Sequence, residues 1–268
     1  MTSRRIGSHV PARNAAEELT SRNGDVAQVF LSSPRSWRGP EPGRHRHLAD
    51  VDGPVYAHAP YLVNPASANP DTRRKSREVT VATLQAADDA GIAGVVVHGG
   101  HATGEATAAQ GLTWWRELLD AVADAGVRTP LLIENTAGGA DAMARTLPQL
   151  AALWQVVEPH PAVTGFCLDT CHTFAGDDAF AEDPGRWMDG LQSVVGGVDL
   201  VHVNGSQAPA GSLRDRHANL EAADNVMPLE LVAAQLEGSG DAPAVVETPG
   251  GVVAQGQDIA VARTLPPT

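Results

Sequence analysis

Short apolar runs alternate along the chain with longer segments whose apolar positions recur at helical spacing. Runs such as Val95-Val96-Val97 and Leu131-Leu132-Ile133 are continuous, as expected of strands buried on both faces of a parallel sheet. The pattern predicts eight strands, over 5–9, 26–31, 55–59, 94–98, 130–135, 165–169, 200–204 and 244–247. Helices are predicted between them. One spans 71–90, after the start signal Asn69-Pro70-Asp71 and before Gly91. A second spans 107–125, with Leu112, Trp115, Leu118, Leu119 and Val122 on one stripe and Gly126 after it. A third spans 140–157, perturbed at Pro148 and stopped before Pro159, and a fourth spans 228–236, opening on a proline.

Eight strands interleaved with helices predict an α/β fold, a single (β/α)8 TIM barrel. The barrel is expected over 1–255, with 256–268 as a C-terminal tail. An open doubly wound sheet is the alternative, but no G-x-G-x-x-G follows the first strand. Segments 32–46 and 204–219 read as long polar loops, and no internal repeat is visible.

Composition narrows the classes. A length of 268 residues suits one barrel, typically about 250 residues. A hydrophobic content of 43% excludes a disordered chain, and no run approaches the ~18 apolar residues of a membrane span. The basic start, Met1 to Arg5, leads into no apolar run, so no secretory signal is expected. Two cysteines, Cys167 and Cys171, cannot build a disulfide framework, and a reducing, cytoplasmic setting is expected. The net charge of -13 argues against a generic basic nucleic-acid coat protein, but not against an enzyme that meets DNA through a local patch or bound cations.

The candidate chemistry lies at the C-terminal ends of the strands, the functional rim of a parallel barrel. Six successive strands or their loops place nine donors there: His58, His98, Glu134, Asp169, His172, His202, Asp215, His217 and Glu247. A lone rim histidine is commonly structural, but a glutamate directly after three apolar residues, as at Glu134 and Glu247, is costly to bury unpaired. Five histidines and four carboxylates suit zinc, with manganese as a substitute. Nine donors exceed one tetrahedral shell, so two or three ions sharing a carboxylate are expected. His9, His101 and His160 are assigned supporting or surface roles, His45 and His47 read as solvated, and the two thiols read as core or rim groups.

These residues sit in segments that resemble the endonuclease IV family of apurinic/apyrimidinic endonucleases. The matching segments begin with Gly7-Ser8-His9-Val10 and Gln28-Val29-Phe30-Leu31, followed by His58-Ala59-Pro60-Tyr61-Leu62-Val63-Asn64 and His98-Gly99-Gly100-His101. They continue with Glu134-Asn135-Thr136-Ala137-Gly138, Asp169-Thr170-Cys171-His172, Asp215-Arg216-His217 and Glu247-Thr248. The resemblance implies a TIM barrel with three zinc ions. His58, His98 and Glu134 would hold one, Glu134, Asp169, His202 and Glu247 a second, and His172, Asp215 and His217 the third. It also implies base excision repair on damaged duplex DNA by a monomer: hydrolysis of the phosphodiester 5′ to an abasic site, leaving a 3′-hydroxyl, with removal of 3′-blocking groups as a further expectation. Glu134 and Glu247 would be the catalytic carboxylates, Glu247 orienting or deprotonating the attacking water. Arg35, Trp37 and Tyr61 would touch DNA around a flipped nucleotide. Arg73, Arg74 and Arg77 fit either phosphate contact or a solvated helix face.

The chain departs from the family pattern at Gly205-Ser206, where Asp-Ser is usual, at Leu220-Glu221-Ala222-Ala223-Asp224, where a Gly-x-Gly turn is usual, and at Gly99, where proline is common. Weaker or altered DNA docking is expected. Two rivals remain: a divalent-metal sugar isomerase or epimerase on the same barrel, and a zinc- and DNA-binding homologue with weakened turnover. The third donor set, His172, Asp215 and His217, speaks against the isomerase.

Overall fold

The computed structural model describes residues 4–139 and 141–265. Positions 1–3, Ala140 and 266–268, parts of the expected N-terminal, helical and tail segments, lie outside the described residues. The strands are β1 (Ile6–His9), β2 (Ala27–Phe30), β3 (Val55–His58), β4 (Gly94–His98), β5 (Leu131–Glu134), β6 (Thr164–Asp169) and β7 (Leu200–His202). A two-stranded ribbon, β8 (Gly205–Ser206) and β9 (His217–Ala218), follows, and β10 (Ala244–Val246) comes last. β1 to β7 and β10 close a parallel barrel, with β10 between β7 and β1. Close approach at its closure requires Gly7, where a Cβ would lie 1.7 Å from the Val26 carbonyl oxygen.

The helices are α1 (Ala15–Ser21), α2 (Pro70–Asp89), α3 (Ala108–Asp124), α4 (Leu147–Val157), α5 (Thr170–Gly176), α6 (Asp178–Glu182), α7 (Pro184–Val195), α8 (Leu229–Gly238) and α9 (Gly251–Thr264). Asn69 caps α2 by accepting from the backbone N–H groups of Asp71 and Thr72. A capping box of Thr107 and Gln110 starts α3. The barrel interior is filled by Val26, Tyr56, Val96, Leu132, Cys167, Leu200 and Val245, and a larger apolar core lies between barrel and helices.

The structure corrects the predicted elements in three places. The helix expected over 140–157 starts at Leu147, with Pro148 in its first turn, where no N–H is needed. Residues before it bond across to the neighbouring loop instead: Met143 N–H donates to the Gly100 carbonyl, and Asp141 accepts from Ala102 N–H. The expected tail is, up to Thr264, most of helix α9, which packs against β1 and buries Ile259 and Ala262. Its apolar stripe is masked in sequence because Val252 and Val253 face outward while polar Gln255 and Asp258 face inward. Finally, the loop expected over 204–219 folds back as the ribbon, pairing Ser206 with His217.

Candidate metal centre

Successive strand residues point to opposite faces, so residues two apart share the barrel interior. On six strands an inward residue is followed two positions later by an ionisable one: Tyr56 and His58, Val96 and His98, Leu132 and Glu134, Cys167 and Asp169, Leu200 and His202, Val245 and Glu247. Register aligns the upper positions, placing His98 beside Glu134 and Asp169 beside His202. His172 comes from the first turn of α5. Asp169 caps that helix by accepting from His172 N–H at 2.8 Å, which explains the three-residue spacing. His217 opens the second strand of the ribbon, and Asp215 lies two residues before it in the loop between the two ribbon strands.

Fully buried Glu134 is the hub. One oxygen lies 3.2 Å from both His58 Nε2 and His98 Nε2; the other lies 3.1 Å from His202 Nδ1 and 3.3 Å from His172 Nδ1. Glu247 Oε2 is 3.2 Å from His202 Nδ1. Asp215 lies 3.3 Å from His172 Nε2 and 3.2 Å from His217 Nε2. Donor atoms fall within 4.8 Å of one another in the sets His58, His98 and Glu134; Glu134, Asp169, His202 and Glu247; and His172, Asp215 and His217. The same spacing joins Asp169, Cys171 and His217, but burial pushes the Cys171 thiol up to about 12, leaving it a neutral group and a weak ligand.

Hydrogen-bond accounting shows that this arrangement fits cations. His58 Nδ1–H donates to the Ala59 carbonyl, which can only accept, so in the neutral ring Nε2 turns a lone pair on the Glu134 carboxylate. His172 Nδ1–H donates to the Asn135 carbonyl, leaving the Nε2 lone pair facing Asp215. His217 Nε2 is buried with no hydrogen-bond partner. Acceptor facing acceptor needs a proton or a metal ion between them, and the nitrogen and oxygen donors suit zinc or manganese.

Without an ion, protons fill that role. Burial opposes charge on Glu134, but His98, His202 and His172 hold its carboxyl well below the usual range. Burial likewise opposes charge on His172 and His202, yet the first stands well above the ordinary histidine value beside Asp169, Asp215 and Glu134, and the second beside Cys167, Glu247 and Glu134. His217, despite burial, is raised to about 9 by Asp169 and Asp215. Glu247 and Asp215 are depressed, against burial, chiefly by His202 and His172 respectively.

Outer groups hold the donors in place, and sequence reasoning assigned them no role. Asn204 Nδ2–H donates to Asp169 Oδ2 at 2.8 Å, and its Oδ1 accepts from Glu247 N–H at 2.9 Å. Asn135 donates to the Asp169 carbonyl and accepts from Asp169 N–H. Asp258 of α9 accepts from Leu220 N–H, the Asn219 amide and the Thr248 hydroxyl, tying the closing helix to the segments beside His217 and Glu247. Gln28 of β2 touches Glu247 and His202. A polar residue at an inward strand position, as at Gln28 and Asn204, was the available signal.

The centre opens into a cleft of about 350 Å³ lined by His58, Tyr61, His98, His172, Asp215, His217 and Glu247. Of the three residues expected at DNA, only Tyr61 lines it: the residue is 55% exposed, and its ring lies 5.7 Å from that of His58. Arg35 is exposed on its loop, whereas Trp37 packs against the hydrophobic core. Arg73 lies over the Trp114 ring, Arg74 pairs with Asp71 and Glu78, and Arg77 approaches Glu117. His45, read as solvated, is buried and donates Nε2–H to the Leu31 carbonyl, while His47 is exposed. His101 and His160 bond to the Gly138 carbonyl and to Asp120, away from the donor sets, and His9 sits 3.4 Å from Glu247.

The departures from the family pattern have local causes. A Cβ at Gly205 would lie 2.9 Å from both the Ala218 carbonyl oxygen and the Asn225 side chain, and one at Gly99 would lie 2.3 Å from the Ala144 Cβ. No residue from Leu220 to Asp224 has a positive φ, so this turn needs no glycine.

Comparison with known proteins places this barrel in a class and then in a family. The pattern of the family described as "Xylose isomerase-like TIM barrel" matches residues 39–265. The chain is 41% identical to the "Probable endonuclease 4" of Mycobacterium bovis over 91% of this chain and 92% of that protein, and 40% identical to that of Mycobacterium leprae over the same shares. Endonuclease IV from Thermus thermophilus superposes with a TM-score of 0.81 at 31% identity, covering 97% of this chain and 98% of that one. A D-tagatose 3-epimerase-like protein shares the fold, with a TM-score of 0.72 at 16% identity over 96% and 95% of the two chains. The chain belongs to the endonuclease IV family within the xylose isomerase-like TIM barrels.

Proposed function

We propose that this chain is a DNA-repair endonuclease that hydrolyses the phosphodiester 5′ to an abasic site in duplex DNA and leaves a 3′-hydroxyl. The observation that carries this reading is the convergence of nine nitrogen and oxygen donors into three sets around Glu134, in a chain similar to proteins named endonuclease IV. His58, His98 and Glu134 would hold one zinc ion, Glu134, Asp169, His202 and Glu247 a second, and His172, Asp215 and His217 a third. Ions bound there supply Lewis acidity and water activation for phosphodiester cleavage, so no serine or cysteine nucleophile is needed.

The chain's own groups do the rest. Glu247 reaches the cleft with its carboxyl held below the usual range, so it is ionised at neutral pH and orients the attacking water by accepting a hydrogen bond from it. Tyr61, at the mouth, fills space beside a nucleotide turned out of the stack. Phe30, whose ring lies 5.6 Å from that of His58, also lines a neighbouring cavity of about 590 Å³ carrying Arg13, Arg44 and His47, a basic footing for backbone phosphate in an otherwise acidic protein. Among the described residues no helix is long and apolar enough to cross a membrane.

The test is incision of a duplex carrying one abasic analogue, with and without a chelator. A single nick 5′ to the lesion, lost to the chelator and restored by zinc or manganese, is expected. No nick after metal is restored would contradict the reading; ketose epimerisation with one or two ions would favour the epimerase alternative.

A further inference from the structure

The inner face of β2 carries none of the nine donors, yet one of its side chains grips two of them. Gln28 is fully buried two residues after Val26, which fills the barrel interior. Its Nε2 lies 2.6 Å from Glu247 Oε1 and 3.0 Å from His9 Nδ1, and its Oε1 lies 2.8 Å from His202 Nε2. All three of these partners sit in or against the metal centre.

The chemistry of those partners fixes which way the amide faces and where the imidazole hydrogen sits. An ionised carboxylate only accepts, so the Gln28 NH2 group must face Glu247. The amide oxygen, which also only accepts, then faces His202, so His202 Nε2 carries the hydrogen. That leaves His202 Nδ1 with its lone pair turned toward Glu134 Oε1 at 3.1 Å and Glu247 Oε2 at 3.2 Å. We propose that Gln28 is a positioning residue: one buried amide holds His202 in the tautomer whose Nδ1 is open to an ion and pins the oxygen of Glu247 that does not face that ion. This rests on the metal-centre reading above, and it names a residue from β2, which with β1 is one of the two barrel strands that supply no ligand. An outer partner that sets a histidine tautomer and orients a carboxylate raises metal affinity by about 10- to 100-fold. A merely structural filler at this position would not: an apolar side chain of similar length would fill the same space and leave His202 free to place its hydrogen on Nδ1.

The test uses the full chain as wild type, Gln28→Met and Gln28→Glu. Imidazole nitrogen NMR on the zinc-loaded protein, where the ring is neutral, reads the tautomer directly. In the wild type, His202 is expected to carry a slowly exchanging Nε2–H; in Gln28→Met that signal is expected to vanish, and in Gln28→Glu, which keeps an acceptor but loses the donor to Glu247, to persist. Chelator competition with zinc should show one ion weakened by about 10- to 100-fold in Gln28→Met, the others unchanged. Gln28→Glu should weaken the same ion through Glu247 alone. Should Gln28→Met not fold, the wild-type spectrum and Gln28→Glu still decide. A hydrogen on His202 Nδ1 in the zinc-loaded wild type, or unchanged zinc affinity in both folded variants, would overturn the proposal. Neither readout involves DNA, so a chain that fails to nick an abasic duplex but shows these shifts refutes the proposed reaction and leaves the role of Gln28 standing.

Discussion

Two layers of the barrel interior, one strand repeat apart, do opposite work. The lower layer holds Tyr56, Val96, Leu132, Cys167, Leu200 and Val245, which close the barrel as an apolar plug. The layer two residues further along the same strands holds His58, His98, Glu134, Asp169, His202 and Glu247, which form one ionisable network. Backbone geometry barely changes between them; side-chain chemistry changes entirely. A rigid, dry floor lets the upper layer gather charges that would be costly to bury singly, because each has an opposite partner already in place. Apolar packing concentrates in one layer and ionisable groups in the other, so substitutions should separate their effects.

The largest effect is expected from Glu134→Gln. It removes the carboxylate shared by two donor sets, and incision and metal retention should both fall by well over about 100-fold, since the loss of outer partners alone costs up to that much. Leu132→Ala, two residues earlier on the same strand, should instead cost about 2–5 kcal/mol in denaturant unfolding while the folded fraction keeps its full metal stoichiometry. Lost metal in Leu132→Ala with unchanged stability would erase the distinction between the layers. Asp258→Ala on the closing helix removes the acceptor of the Leu220 N–H and the Thr248 hydroxyl and one of two acceptors of the Asn219 amide, and should cost about 1–3 kcal/mol, read as a lowered urea midpoint.

The two layers also differ in their response to pH, because only the upper one carries histidines. His217 titrates near 9 in the metal-free fold, above its ordinary 6.5, so its charged form contributes stability that is complete below about 6.5 and lost as pH rises through 9. Metal needs the ring neutral, so zinc affinity should move in the opposite direction, rising by up to about tenfold per pH unit for each proton displaced. Melting of the chelated protein and chelator competition across that range check both signs. The smallest effect is expected outside both layers: Glu221→Gly combined with Ala223→Gly removes a negative charge beside the His217 ribbon. It should tighten abasic-duplex binding by about 2- to 5-fold, the scale of one exposed charge contact; unchanged binding would show that this turn does not limit docking.

The layered arrangement was largely legible in the sequence because it follows from a two-residue period laid on eight recognisable strands. The strand ends agree with the apolar runs to within a few residues, as Gly94–His98 and Leu131–Glu134 show. Six of the donors are legible as ionisable residues at the ends of barrel strands, and His172, Asp215 and His217 as ionisable residues in the segments just beyond. What was not legible depends on partners distant in sequence. Asp258 is an ordinary helix residue until folding brings Leu220 and Thr248 against it, and α9 hides its apolar side behind exposed valines. His45 resembles a solvated residue of an arginine-rich loop, yet its ring nitrogen finds the Leu31 carbonyl inside the fold. Trp37 reads as a free loop aromatic but is held on the core.

The central claim is that the upper layer forms one shared multinuclear centre. Anomalous X-ray scattering at the zinc edge, on crystals of the full chain loaded with zinc, tests it most directly. Three peaks within the cleft are expected, two of them sharing Glu134. A single peak, or ions scattered away from Glu134, would contradict it.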